Sequence, residues 1–100
     1  MSEETKDTQD QESLPRADFS AHVYTIGIQA LIFLGKHPHP ETGKYEQNLE
    51  VARFQIDTLE MIKEKTEGNR TEDESKLLEM LLHNCHLAFV DVTDSQSEES

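Results

Sequence analysis

The sequence predicts an all-α protein of three helices. The last two form an antiparallel hairpin, and the first packs against it in an oligomeric bundle. Three observations predict this. Apolar residues recur at spacings of three and four in two long segments, the periodicity of one helix face. A third segment, Phe19 to Leu34, is apolar nearly all round, as a buried helix is. No segment alternates apolar and polar residues as a half-buried strand would.

The first helix is expected over 19–34. Asp18 or Ser20 can cap its start, Gly35 can stop it in a left-handed conformation, and Pro38 and Pro40 prevent continuation. Phe19, Val23, Ile26, Ala30 and Phe33 fall on one apolar side, and Tyr24, Ile28, Leu31 and Leu34 on another. Between them His22, Thr25 and Gln29 form a narrow polar stripe at i, i+3 and i+7. That stripe either faces water or sets the register of a helix pair, since buried polar groups need partners. The following segment, KHPHPETGKYEQ, reads as a loop with an extended Pro-x-Pro path and a turn at Thr42-Gly43.

The second helix is expected from Gln47 or Asn48 to Thr66. Leu49, Ala52, Ile56, Leu59 and Ile62 make its stripe, while Val51, Phe54 and Met61 sit off it. Lys63 and Lys65 complement the dipole in its last turn, and Gly68 is expected at C′. Only Gly68 to Arg70 separate it from the third helix, which implies a hairpin. The third helix opens on a capping box at Thr71-Glu72-Asp73-Glu74. Leu78, Leu81, Cys85, Ala88 and Val92 continue it, widened by Leu77, Leu82 and Phe89.

Charge divides the chain into three parts. Its 100 residues hold nine Lys or Arg and twenty-one Asp or Glu, a formal net charge of −12. Residues 1–18 contain six acids and two bases, and residues 91–100 four acids and no base, so each end carries −4. Residues 1–18 and 93–100 are therefore expected to be disordered acidic tails around a helical domain at 19–92. Thirty of the 72 residues from 19 to 90 are apolar, a small core for a lone chain. One hairpin covers only one side of the first helix well, and a second copy of the chain is the simplest cover for the other.

The acidic balance excludes free nucleic-acid binding, which needs clustered Lys and Arg. The acidic N-terminus followed by no apolar run is not a secretory leader. Sixteen helical residues span roughly 24 Å, short of the ~30 Å membrane core, so no membrane insertion is expected. A single Cys forms no intrachain disulfide and suits a reducing, cytoplasmic location.

Candidate chemistry is sparse. His37-Pro38-His39 and His83-Asn84-Cys85-His86 are the ligand-like clusters, and neither has the spacing of a zinc site. A di-iron site needs Glu-x-x-His on two helices, a pattern that does not occur. Cys85 lies on the core stripe, and His86 diverges from it by about 100° around the helix, which does not suit a nucleophile and its base. Glu72, Asp73 and Glu74 cap a dipole, and Glu60, Glu64 and Glu67 read as a solvated face. No catalytic, cofactor-binding or metal-ligating residue is assigned, and no cofactor is expected. The interaction residues expected are Tyr24, Ile28, Leu31 and Phe33, with His22, Thr25 and Gln29 beside them. The leading function is a non-enzymatic, self-associating scaffold module. The alternatives are an adaptor that docks the first helix on a different protein and a small-ligand or metal-binding protein.

Several runs also carry a resemblance. They are QALIFLG (Gln29 to Gly35), P-x-P-x-T-G-K (Pro38 to Lys44), NLE-x-A (Asn48 to Ala52), ID-x-LEM (Ile56 to Met61), EKT-x-GN-x-T-x-x-E-x-x-LL (Glu64 to Leu78) and AFV (Ala88 to Val90). Their order resembles a small bacterial family, the domain of unknown function DUF1844, over residues 19–92. The resemblance implies a short helical protein with no assigned activity and transfers no catalytic residue. Its pattern does not call for His at positions 37, 39, 83 or 86, which speaks against a metal role there.

Overall fold

The computed structural model describes residue 14 and residues 16–99, so most of the expected N-terminal tail lies outside the described residues. Three helices are present: α1 Phe19–Phe33, α2 Leu49–Lys65 and α3 Glu72–Glu99. There is no strand among the described residues.

Each helix end is closed by a local device. Asp18, rather than Ser20, caps α1, its carboxylate accepting from the Ala21 N–H at 2.9 Å. At the other end the Gly35 N–H donates to Ile32 and the Lys36 N–H to Leu31, with Gly35 at φ 79°. This paired pattern is the Schellman stop, and a side chain at Gly35 would be strained there. Asn48 caps α2 by accepting from the Val51 N–H at 3.1 Å, and its own N–H donates to the Phe33 carbonyl at 2.8 Å. One residue thus ties the start of α2 to the end of α1. The expected capping box opens α3 reciprocally: the Glu74 N–H donates to Thr71 Oγ1 at 3.1 Å, and the Thr71 N–H donates to Glu74 Oε1 at 2.8 Å.

Beyond one-residue shifts at the end of α1 and the start of α2, two helix ends differ from expectation. α2 has Thr66 as its C-cap, which moves Gly68 one position beyond C′, at φ 86°. The third helix, expected to reach 92, runs to Glu99. Extending an existing helix needs no new nucleus. Buried Val92 anchors this last stretch, and the Thr93 hydroxyl donates back to the carbonyls of Phe89 and Val90.

The chain runs up, down and up, and α1 packs against both other helices. Val23, Ile26, Ala30, Ile56, Leu59, Leu78, Leu81, Leu82 and Cys85 form one buried cluster. A smaller one, of Leu34, Ala52 and Val92, lies beyond it. The parallel course of α1 and α3 follows from two contacts: Gly27 lies against Leu81 and Cys85, and Lys36 Nζ donates to Asp91 Oδ2 at 2.6 Å.

Gly27 permits that approach. A Cβ there would stand 2.9 Å from Leu81 Cδ2, closer than packed carbons tolerate. A mid-helix glycine costs about 1 kcal/mol relative to alanine. Here it lets two helices meet closely, with the Cys85 thiol donating to the Gly27 carbonyl at 3.7 Å.

Arg70 organises the hairpin turn. Its side chain is 7% exposed. Nη1 donates to the Lys63 carbonyl at 2.6 Å and to Thr66 Oγ1 at 3.0 Å; Nε donates to Ser75 Oγ at 2.9 Å; Nη2 reaches Glu67 Oε1 at 3.3 Å. One planar fork therefore closes the C-terminus of α2 and grips the first turns of α3.

Two stability changes are expected, both read by urea denaturation. Gly27→Val should lower stability by about 2 kcal/mol through overpacking against Leu81. Arg70→Lys keeps the charge but not the fork, and should still lose about 2 kcal/mol. A change under about 0.5 kcal/mol in either variant would remove the role given to that residue.

Candidate interaction site

The residues expected to carry contacts divide into two groups. Leu31 packs against both buried clusters and Phe33 against the smaller one, so both are engaged within the chain. Leu34, placed by periodicity on the second side of α1, is buried. Tyr24 remains 51% exposed and Ile28 half-buried. The polar stripe of His22, Thr25 and Gln29 is exposed, with the Thr25 hydroxyl donating locally to the Ala21 carbonyl at 3.0 Å.

The helix phase places Tyr24 and Ile28 on the flank of α1 that lies next to α3. Gly27, between them in sequence, is the residue against Leu81 and Cys85. On α3 the side turned toward α2 is marked by His86, whose Nε2 is 2.8 Å from Glu60 Oε2. The opposite side carries Met80, Asn84 and Leu87. Met80 is 47% and Leu87 57% exposed. Sequence periodicity missed these two because it sorted α3 by its core stripe alone. Their i, i+7 spacing was the available signal. Tyr24, Ile28, Met80, Asn84 and Leu87 make an uncharged face in a chain that is 30% charged. α1 itself contains no Asp, Glu, Lys or Arg.

Of the four candidate histidines, His37 and His83 are exposed, and His39 and His86 are engaged in structure. In the 36–47 loop the His39 N–H donates to the Lys44 carbonyl and the Gly43 N–H to the His39 carbonyl, both at 2.7 Å. His39 Nδ1 accepts from the Glu41 N–H at 3.1 Å, so this imidazole helps to shape its own turn. A groove of about 400 Å³ between α2 and α3 is lined by Glu60, Lys63, Glu64, Glu67, Glu79, Leu82 and His86. It holds no Ser, Thr or Cys to act as a nucleophile, and its one imidazole is bonded to Glu60. Among the described residues no three His, Cys, Asp or Glu side chains converge as a metal site. No helix of the described residues is long and apolar enough to cross a membrane.

Cys85 is buried, and desolvation pushes its thiol above the ordinary range. Burial favours the neutral form. Its stabilising contribution is therefore complete below the unfolded value of about 8.5 and is lost as pH rises through the higher folded value. Thiolate chemistry is correspondingly suppressed. At pH 8 the native thiol should resist iodoacetamide and react only as fast as the protein unfolds. Stoichiometric labelling within minutes would place Cys85 at an accessible site.

No curated protein and no solved structure matches the chain. The model of one family does match, a domain of unknown function, over residues 16–91. That span takes in α1, α2, the hairpin and α3 through Asp91, the residue bound to Lys36. The chain therefore belongs to the DUF1844 family.

Proposed function

We propose that this protein is a non-enzymatic helical module that self-associates through the uncharged face of α1 and α3. The observation that carries the reading is that α1 and the five residues of this face are uncharged within a chain of net charge −12, with Asp91 beside them paired to Lys36. Interface centres are depleted of charged residues, and two copies can meet here without opposing carboxylates. Tyr24 and Ile28 supply the contact from α1, and Met80 and Leu87 from α3. His22, Thr25 and Gln29 lie along the far edge of α1, where a polar rim sets register. Leu31, on the same side of α1, supports the face from beneath, while Phe33 packs against the smaller cluster on the other side. The engagement of His86 by Glu60 and the burial of Cys85 support a role without catalysis. A lone buried thiol suits a reducing compartment, and we place the protein in the cytoplasm.

A second reading uses the same face for a different protein, in the manner of an adaptor. Mass decides between them. Light scattering after size exclusion should return a multiple of the chain mass, and Tyr24→Glu with Leu87→Glu should return the monomer with its helical signal intact. Gln29→Leu should change the oligomer order if the rim sets register. A wild-type monomer at tens of micromolar would overturn self-association and leave the adaptor reading.

A further inference from the structure

We infer that the outer face of α2 docks an amphipathic helix that carries a row of Lys or Arg beside its apolar stripe. Val51, Phe54, Thr58 and Met61 recur at spacings of three, four and three. This is the seam one helix offers another, and it is separate from the stripe of Ala52, Ile56 and Leu59 that faces the core. Phe54 is 66% exposed and Met61 48%, while Val51 and Thr58 are half-buried. Phe54 and Met61, two turns apart on one line of α2, both present large apolar side chains to water.

Charge beside the seam selects the occupant. Glu50, Asp57 and Glu64 stand seven residues apart along one edge, and all three are exposed. Seven residues is two helical turns, so they form a straight acidic row next to Phe54 and Met61. Of the three, among the described residues only Asp57 makes an ion pair, with Arg53 Nε at 3.7 Å across an exposed pair that contributes little. The opposite edge carries Gln55 and Ile62, which are uncharged. A helix with Lys or Arg on one flank of an apolar stripe meets this pattern on both counts. A second copy of α2 does not. Antiparallel pairing sets the acidic row alongside itself, and parallel pairing sets Lys65 against Lys65 at the end of the seam. This face is separate from the α1–α3 face, so the inference stands or falls independently of self-association.

The test uses the full chain and three synthetic peptides in fluorescence anisotropy. One has Leu at the seam positions and a Lys row on one flank. One has the same seam with a Glu row. One has the composition of the first, scrambled to destroy its stripe. The Lys-flanked peptide should bind at least tenfold tighter than either of the others. Phe54→Ser, at an exposed position that leaves the fold intact by circular dichroism, should weaken it at least tenfold. The triple variant Glu50→Gln, Asp57→Asn, Glu64→Gln should weaken it about tenfold and flatten its salt dependence. Equal binding of the ordered and scrambled peptides would reduce the effect to net charge and overturn the docking site. So would loss of binding in Tyr24→Glu with none in Phe54→Ser. A wild-type oligomer that Phe54→Ser converts to monomer would assign the seam to a second copy and overturn the basic-helix partner.

Discussion

The close meeting of α1 with α3 at Gly27 is the constraint on which the bundle depends. α1 is joined to α2 by a loop and to α3 only through space. Removing one side chain at position 27 lets Leu81 fill the gap and brings Cys85 to the Gly27 carbonyl. This sets the depth at which α1 sits. The depth in turn decides that Val23, Ile26 and Ala30 join the core of the hairpin and that Leu34 reaches Ala52 and Val92. It also fixes which flank of α1 is left outside, because Tyr24 and Ile28 sit on either side of the same glycine.

Polar groups hold the ends of the elements while apolar burial holds their middles. Asp18, Asn48 and Thr71 each satisfy an N–H at a helix start, and Gly35 closes the end of α1. The α2–α3 turn is tied by Arg70, whose guanidinium makes four contacts across a short connection. Arginine suits this because its donors are coplanar and preorganised. The Lys36–Asp91 pair and the Asn48 N–H bond to Phe33 tether α1 to the other two helices at one end of the bundle. A small core is thereby supplemented by specific hydrogen bonds at nearly every junction.

The surface is partitioned. Carboxylates gather along α2 and in the α2–α3 groove, where Glu60 also binds His86. On the α1–α3 side the residues Tyr24, Ile28, Met80, Asn84 and Leu87 carry none, and the Asp91 carboxylate beyond them is paired with Lys36. An acidic protein repels its own copies through most orientations, and an uncharged face is the one approach that avoids this cost. The seam on α2 has the reverse character, apolar at its centre and acidic along one edge. The two faces therefore differ in chemistry, one uncharged at its centre and the other apolar with an acidic edge.

Helix number, order and caps were legible in the sequence because they arise from local chemistry. A Thr-x-x-Glu box, a glycine after an apolar run and a three-four apolar spacing act within a turn or two of themselves. The end of α3 was not legible in composition, which is polar and acidic there, while buried Val92 anchors a helix that runs to Glu99. The burial of the candidate residues was legible only in part. Tyr24 and Ile28 stay at the surface, but Leu31, Phe33 and Leu34 share their sequence character and are drawn inward. The exposure of Met80 and Leu87 was not read from periodicity, and Gly27 and Arg70 gave no sign of their roles. Periodicity tells which residues share a side of a helix. How much of that side a neighbouring helix covers is set by the distance and rotation between helices. Those are decided by contacts between residues far apart in the chain, here Gly27 with Leu81 and Cys85.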